Sequence, residues 1–140
     1  MKRLPGWRAR MYAFVAEVGA SPFAWGQLDC GPAWAGRHVE LMTGVDIAAP
    51  FRGYTDYAGA VVTFQRAGFA TLGDLVSSLL PELPAPSMAR TGDLAAIEAR
   101  EPFGHALGIV NGARILVLGR DGYGSVDLLK ACRAWRVGDA

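Results

Sequence analysis

The chain has 140 residues, enough for one domain with a proper core and too few for two ordinary ones, so we expect a single domain over residues 1–140. Its 14 basic and 13 acidic residues nearly cancel. Nucleic acid and anionic membrane surfaces both require a clustered excess of base, so neither is an expected partner. Glycine, proline or charge interrupts every apolar stretch before the roughly 18 residues of a membrane helix, and no membrane insertion is expected.

The N-terminal residues Lys2 and Arg3 are followed by Leu4-Pro5-Gly6 and not by an apolar segment, which is unlike a secretory signal. We expect synthesis in the cytoplasm without a signal peptide. Two cysteines, Cys30 and Cys132, are too distant for a metal-binding motif and too few for a disulfide framework. The sequence therefore predicts neither a metal site nor a cofactor.

The first half of the chain is predicted to be helical. Apolar residues three or four apart predict an amphipathic helix over residues 7–18, ended by Gly19 and Pro22. A second helix is predicted to begin after Asp29 or Cys30. It runs to about residue 43, where the following glycine stops it.

Two further helices and a connector complete this half. Thr55 or Asp56 is predicted to cap a third helix that ends at Gly68, and Thr71 a fourth over residues 72–80. Three prolines then form an extended connector, interpreted as a loop inside one domain: Pro81, Pro84 and Pro86. The apolar stretch of residues 76–83 is expected to be exposed and to need a covering partner.

After residue 92 the pattern changes to short apolar runs separated by turn residues. The candidate strands are residues 93–97, 105–110, 113–118, 125–129 and 134–137. Asn111-Gly112 between the second and third runs is a strong hairpin signal. Helices followed by strands predict an α+β domain, with N-terminal helices packed on one face of a C-terminal antiparallel β-sheet.

Cys30 is the candidate nucleophile. A thiol at a helix start faces unpaired backbone N–H groups and the positive end of the helix dipole, which favour the thiolate. The alternative is a buried, inert cysteine. His105, at the start of a predicted strand, is the candidate base, since His38 lies eight residues along the same helix, roughly 12 Å away. The alternative for His105 is a strand-edge residue bonded to backbone or water.

Several motifs resemble those of the NlpC-type cell-wall cysteine peptidases. They are Asp29-Cys30-Gly31, Gly92-Asp93-Leu94, Gly104-His105 and Gly108-Ile109. The resemblance implies a papain-like, circularly permuted core in which a helix-borne cysteine and a strand-borne histidine cleave peptide bonds of the peptidoglycan stem.

Further blocks are similar to a small family of phage and prophage tail modules that is distantly related to these peptidases. The blocks are Leu4-Pro5-Gly6-Trp7, Phe23-Ala24-Trp25-Gly26 with Asp29-Cys30, Met42-Thr43-Gly44-Val45-Asp46, Phe51-Arg52-Gly53 and Arg133-Ala134-Trp135-Arg136-Val137. This resemblance covers nearly the whole chain. It implies a location in the virion tail and contacts with other tail-tip or hub proteins.

The resemblance assigns the catalytic roles residue by residue. Cys30 matches the nucleophile, Asp29 the acidic neighbour that caps the helix and fixes the cysteine rotamer, and His105 the base. His105 stands three residues before Gly108, whereas the peptidases have two. Because side chains alternate along a strand, this offset turns the ring away unless a bulge restores its direction. The next strand offers no polar residue to orient the ring.

Two hypotheses for the function follow. In the first, the protein is a tail-tip cysteine peptidase that cleaves peptidoglycan stem peptides, with Trp25 lining the substrate groove. In the second, it is an inactive structural component of the tail tip or hub that keeps the peptidase fold. Trp25 is then a core or interface anchor.

Overall fold

The computed structural model describes residues 1–18, 20–21, 23–25, 29–119 and 122–139. Its helices occupy the first half of the chain. They are α1 (Trp7–Val18), a π-type helical segment (Cys30–Gly36) that continues into α2 (Arg37–Thr43), α3 (Tyr57–Ala67) and α4 (Leu72–Ser77). The bounds of α1 agree with the prediction, and its predicted stops, Gly19 and Pro22, lie outside the described residues.

The other helix ends follow local chemistry. Asp29, Asp56 and Thr71 each accept a backbone N–H of the first turn that they precede. Gly44 and Gly68 end α2 and α3 with φ of 80° and 81°, which favours glycine. These predicted boundaries are confirmed.

Helix α4 is shorter than predicted, since it ends at Ser77 and not at residue 80. The N–H of Ser78 bonds to both Asp74 O and Leu75 O, and its hydroxyl donates to Leu75 O. These bonds tighten the last turn. The apolar residues beyond it still pack inward, because Val76 and Leu80 are 4% and 3% exposed. The expectation of an exposed apolar stretch at residues 76–83 is therefore wrong.

The second half has the strands β1 (Leu94–Glu98), β2 (His105–Asn111), β3 (Arg114–Gly119), β4 (Gly122–Asp127) and β5 (Arg133–Trp135). They form a five-stranded antiparallel sheet in the order β4-β3-β2-β1-β5. The predicted α+β arrangement is confirmed.

The predicted hairpin between β2 and β3 is present, with its turn displaced by one residue. Asn111 pairs with Arg114, so the two turn residues are Gly112 and Ala113. Gly112 has φ +59°, as the first position of a II′ turn requires. Strand β4 begins before the predicted residue 125 and passes into a 3-10 turn, Leu128–Lys130.

The helices cover one face of the sheet and form the main core with it. This core draws residues from both halves of the chain, among them Met11, Trp34, Leu94, Ile109 and Trp135, each at most 1% exposed. The opposite face carries a smaller cluster of Ala95, Val110, Ile115 and Ala134, against which loop residues such as Leu83, Ala89 and Leu128 pack. The helix-covered face is the side on which Cys30 lies.

Candidate functional site

Cys30 begins the π-type helical segment. Asp29 precedes it with extended backbone, and the Asp29 carboxylate accepts the N–H of Ala33 at 3.4 Å. The helical path is kinked at Gly31, where ψ is −106°. The predicted helix start is therefore present, in a distorted form, and Asp29 caps it.

Cys30 lines a cavity of about 100 Å³, called here the Cys30 cavity. Its walls come from α3, α4, the helical segment and the sheet. The walls are mostly apolar. The residues that line the cavity include Trp25, Asp29, Cys30, Tyr54, Ala60, Thr63, Phe64, Leu72, Leu75, Val76, Phe103 and Leu107. The sulfur therefore lies among mostly apolar side chains, in a residue that is half-buried.

This environment raises the pKa of Cys30 to about 11, chiefly because burial disfavours the charged thiolate. Hydrogen bonding from the backbone of Leu107 and from the residue's own N–H lowers the pKa, and the charge of Asp29 raises it. The pKa of Cys30 is thus raised, whereas a position at a helix start was expected to lower it. The desolvation of the thiolate outweighs its stabilisation by the helix N-terminus.

Asp29 is itself buried, with 1% of its surface exposed. The hydroxyl of Tyr54 donates to Asp29 Oδ2 at 2.5 Å. Burial and this bond to Asp29 raise the pKa of Tyr54. Sequence reasoning missed Tyr54, because it stands in a loop 24 residues beyond Cys30 with no motif linking the two.

Trp25 lies at the cavity wall, within a cluster of aromatic rings. Its ring is 4.8 Å from that of Phe23, 5.3 Å from Tyr57 and 5.7 Å from Phe103, measured between centroids. Such distances are typical of packed aromatic pairs. Trp25 therefore serves as a packing residue that also borders the cavity.

His105 begins β2 and shares a sheet face with Leu107, since side chains two positions apart point the same way. Its Nδ1 accepts the backbone N–H of Gly73 at 3.0 Å. A nitrogen that accepts an N–H carries no proton, so the neutral ring has its proton on Nε2. Burial lowers the pKa of His105, and the positive charge of Arg133 lowers it further.

His105 adjoins a group of charged and polar side chains, called here the Arg133 cluster: Asp74, Ser77, Glu82, His105 and Arg133. The Arg133 guanidinium donates to Asp74 Oδ1 at 2.8 Å, to Ser77 Oγ at 2.9 Å and to Glu82 Oε1 at 2.7 Å. These bonds raise the pKa of Arg133 and lower those of Asp74 and Glu82. The cluster ties β5 to α4.

Helix α4 stands between the Cys30 cavity and the Arg133 cluster. Leu72, Leu75 and Val76 line the cavity. The other three residues of the helix are Gly73, which lies against His105 and Arg133, and Asp74 and Ser77, which bond to Arg133. Helix α4 is therefore amphipathic, and its apolar and polar faces both contact other parts of the protein.

The candidate nucleophile and the candidate base have different neighbours. Within the described part of the chain, His105 is not among the residues that line the Cys30 cavity. The groups that shift the Cys30 pKa are Leu107 and Asp29, and those that shift the His105 pKa are Arg133, Asp74, Glu98 and Glu82. The two sets share no residue.

The contacts of His105 instead complete the N-terminus of α4. The first three N–H groups of this helix bond to Phe103 O, His105 Nδ1 and Thr71 Oγ1. Unpaired N–H groups at a helix start otherwise require water or a side-chain cap. His105 thus caps α4 from the neighbouring sheet. The sequence allowed a strand-edge histidine bonded to backbone, but it did not identify this helix as the partner.

His38 is fully buried on α2, and its Nε2 lies 2.7 Å from Gly92 O. A carbonyl only accepts, so Nε2 carries the proton. Its Nδ1 has no hydrogen-bond partner in the described structure. Burial lowers the pKa of His38 to about 4, which keeps the ring neutral.

In the residues that the structure describes, no three His, Cys, Asp or Glu side chains are arranged to hold a metal ion. No described helix is long and apolar enough to cross a membrane. Cys132 is an exposed free thiol whose pKa is raised, mainly by partial burial, and its sulfur bonds to Ala96 O at 3.4 Å.

Comparison with known proteins gives one family. None of the curated proteins matches this chain significantly. The family described as "Domain of unknown function (DUF6950)" matches residues 2–137, which span both the helices and the sheet. The chain therefore belongs to the DUF6950 family.

Proposed function

We propose that the protein is a structural component of the tail tip or hub of a phage or phage-like particle, without peptidase activity. The observation that supports the absence of hydrolysis is that His105 Nδ1 bonds to the N-terminus of α4, whereas Cys30 lines an apolar cavity bordered by the other face of that helix. The location in the tail and the contacts with other tail proteins are supported by sequence blocks, such as the one ending in Cys30, that resemble a tail-module family.

The proton balance supports an inert thiol. With a pKa of about 11, roughly one Cys30 in 10,000 is ionised at pH 7, against about one in 30 for a free cysteine. Transferring a proton from such a thiol to an imidazole of pKa 6.5 or below costs about 6 kcal/mol or more. The Nδ1 lone pair of His105 is also already used by Gly73.

One observation favours the second candidate, a peptidase acting on peptidoglycan stem peptides. Cys30 begins a helix and contacts the backbone of Leu107, and His105 lies on the same face of β2 two residues away. In that case the Cys30 thiolate attacks an acyl carbonyl, protonated His105 gives its proton to the leaving amine, and water hydrolyses the acyl-enzyme. The ring would first have to leave Gly73.

Hydrolysis is tested directly by incubating purified protein with peptidoglycan and with free stem peptides. We expect the wild type and Cys30→Ala to release the same background amount of peptide. Release by the wild type that Cys30→Ala abolishes would contradict the structural proposal and establish the peptidase.

The thiol is tested in a Cys132→Ser background, which leaves Cys30 as the single cysteine. We expect its alkylation rate to keep rising up to a pH of about 11, since only the thiolate reacts. A plateau below pH 8 would mean an activated thiol. The tail location is tested separately by mass spectrometry of purified particles, and absence of the chain from the tail fraction would refute it.

A further inference from the structure

The Cys30 cavity has the size and surface of a small apolar binding site. Its volume is about 100 Å³. In another protein, an apolar cavity of about 150 Å³ stays dry and holds benzene. Phe64, Leu72 and Leu107 provide the same type of wall here. The Cys30 cavity has about two-thirds of that volume, so one ring or one branched side chain is the largest apolar group that it could take.

The polar side chains at the wall are already engaged inside the protein. The Tyr54 hydroxyl donates to Asp29, and the Thr63 hydroxyl donates to Gly59 O at 2.8 Å. A stable buried water needs two to four polar partners. Since neither hydroxyl donates into the cavity, a water there is held less firmly, and an apolar group displaces it at lower cost.

The charge at the wall excludes one class of ligand. The buried carboxyl group of Asp29 lines the cavity beside the Cys30 thiol. An anion placed there would lose its hydration and face this carboxylate at short range. A neutral ligand has neither cost.

The aromatic cluster connects the cavity with the surface. Trp25 and Phe103 line the cavity, and both pack against Tyr57, which is 44% exposed. Aromatic rings at such an entrance provide apolar contact area with little loss of conformational freedom.

From these observations we propose that the Cys30 cavity binds one uncharged apolar group of about the size of benzene. The group comes either from a small hydrophobic molecule or from an apolar side chain of a peptide. Binding of this kind needs neither hydrolysis nor assembly into a particle, so it is separate from the function proposed above.

The test uses the full chain with Cys132→Ser, so that labelling reports on Cys30 alone. Benzene, benzoate and a capped peptide containing one phenylalanine are each added before a small uncharged thiol reagent. We expect benzene at ten times its Kd to slow labelling about tenfold, as mass action requires, and to raise the Tm. Benzoate, which has the same ring and a negative charge, should do neither.

A matched pair of variants locates the site. Ala60, on α3, is 4% exposed and lines the cavity, whereas Ala58 on the same helix is exposed. Ala60→Leu should fill the space and abolish the effect of benzene, and Ala58→Leu should leave it intact. If Ala60→Leu does not fold, the contrast between benzene and benzoate in the parent protein decides the question.

If benzene alone protects Cys30 from labelling, the bound group comes from a free molecule. If the capped peptide also protects it, an apolar side chain can occupy the cavity as well. Both outcomes support the proposal. It is overturned if benzene neither protects Cys30 nor raises the Tm, if benzoate acts equally, or if folded Ala60→Leu still responds.

Discussion

The two faces of α4 border regions of opposite character. On one side, the Cys30 cavity is lined by hydrocarbon, and burial raises the thiol pKa to about 11. On the other, the Arg133 cluster is a network of charged hydrogen bonds in which the Nδ1 of His105 is an acceptor. A thiol and an imidazole that would form a catalytic pair are thus kept in separate surroundings.

This contrast shows how one six-residue helix changes the chemistry of the residues beside it. The apolar face of α4 supplies part of the apolar wall of the cavity that Cys30 lines, and the small, polar face lets His105 and Arg133 approach. Both surroundings oppose proton transfer, since one stabilises the neutral thiol and the other the neutral ring. Substitutions on either side of α4 test the contrast.

The largest effect is expected on the apolar side. Leu75 is 6% exposed on the cavity face of α4, and Leu75→Ala removes its packing and enlarges an existing void. We expect a loss of roughly 2 to 5 kcal/mol in the free energy of unfolding, measured with urea. Val62→Ala, which truncates a residue 43% exposed on α3, is the control and should change it by less than about 0.5 kcal/mol.

The second prediction compares the two histidines by pH. The folded pKa of His38, about 4, lies below its unfolded value, so its contribution to stability is complete above about pH 6.5 and is lost as the pH falls toward 4. The loss should reach about 3 kcal/mol. Partly exposed His105 shifts in the same direction and should contribute less.

His38→Gln keeps a donor for Gly92 O and removes the titrating ring. Urea unfolding between pH 7 and pH 4.5 should therefore show a flatter pH dependence for His38→Gln than for His105→Asn. Equal slopes for the wild type and His38→Gln would contradict the assignment.

The third prediction concerns the polar side of α4. A Cβ on Gly73 would lie 2.7 Å from His105 Nδ1 and 2.8 Å from Arg133 Nη1. Gly73→Ala should cost about 1 to 3 kcal/mol, although alanine favours helices by about 1 kcal/mol. Gly124→Ala, where nothing lies within 4 Å, is the matched control. A Gly73→Ala protein as stable as the wild type would show that the polar face of α4 is not closely packed against His105 and Arg133.

The smallest effect is expected for the cap that His105 supplies. His105→Ala leaves the Gly73 N–H without its acceptor and should lower the unfolding free energy by about 1 kcal/mol. His105→Asn provides a side-chain oxygen near the position of Nδ1 and should restore most of it. If alanine and asparagine behave alike, the hydrogen bond to Gly73 does not contribute to stability.

Much of the fold could be predicted because its signals are local. Asp56 and Thr71 cap helices with their own side chains, and Gly44 and Gly68 adopt a positive φ that other residues avoid. The change from helical to strand patterns near residue 92 predicted the α+β arrangement. The early end of α4 was missed, because competing hydrogen bonds at Ser78 are invisible in an apolar pattern.

The candidate site was less predictable. The sequence identified Cys30, Asp29, His105 and Trp25 as residues to examine, and the structure groups three of them at one cavity. Their pKa values depend on burial, which no spacing encodes. Tyr54 also entered the site only through folding, since its bond to Asp29 joins residues 25 positions apart.

Caps, turns and apolar periodicity act within a few residues, so the sequence could predict most helix boundaries and the sheet that follows the helices. Folding alone brought α4 against both the Cys30 cavity and His105 and placed the sulfur among mostly apolar side chains. Those features depend on contacts between segments that are distant in the chain. A helix cap is set by a few neighbouring residues, whereas desolvation is set by every group packed around an atom.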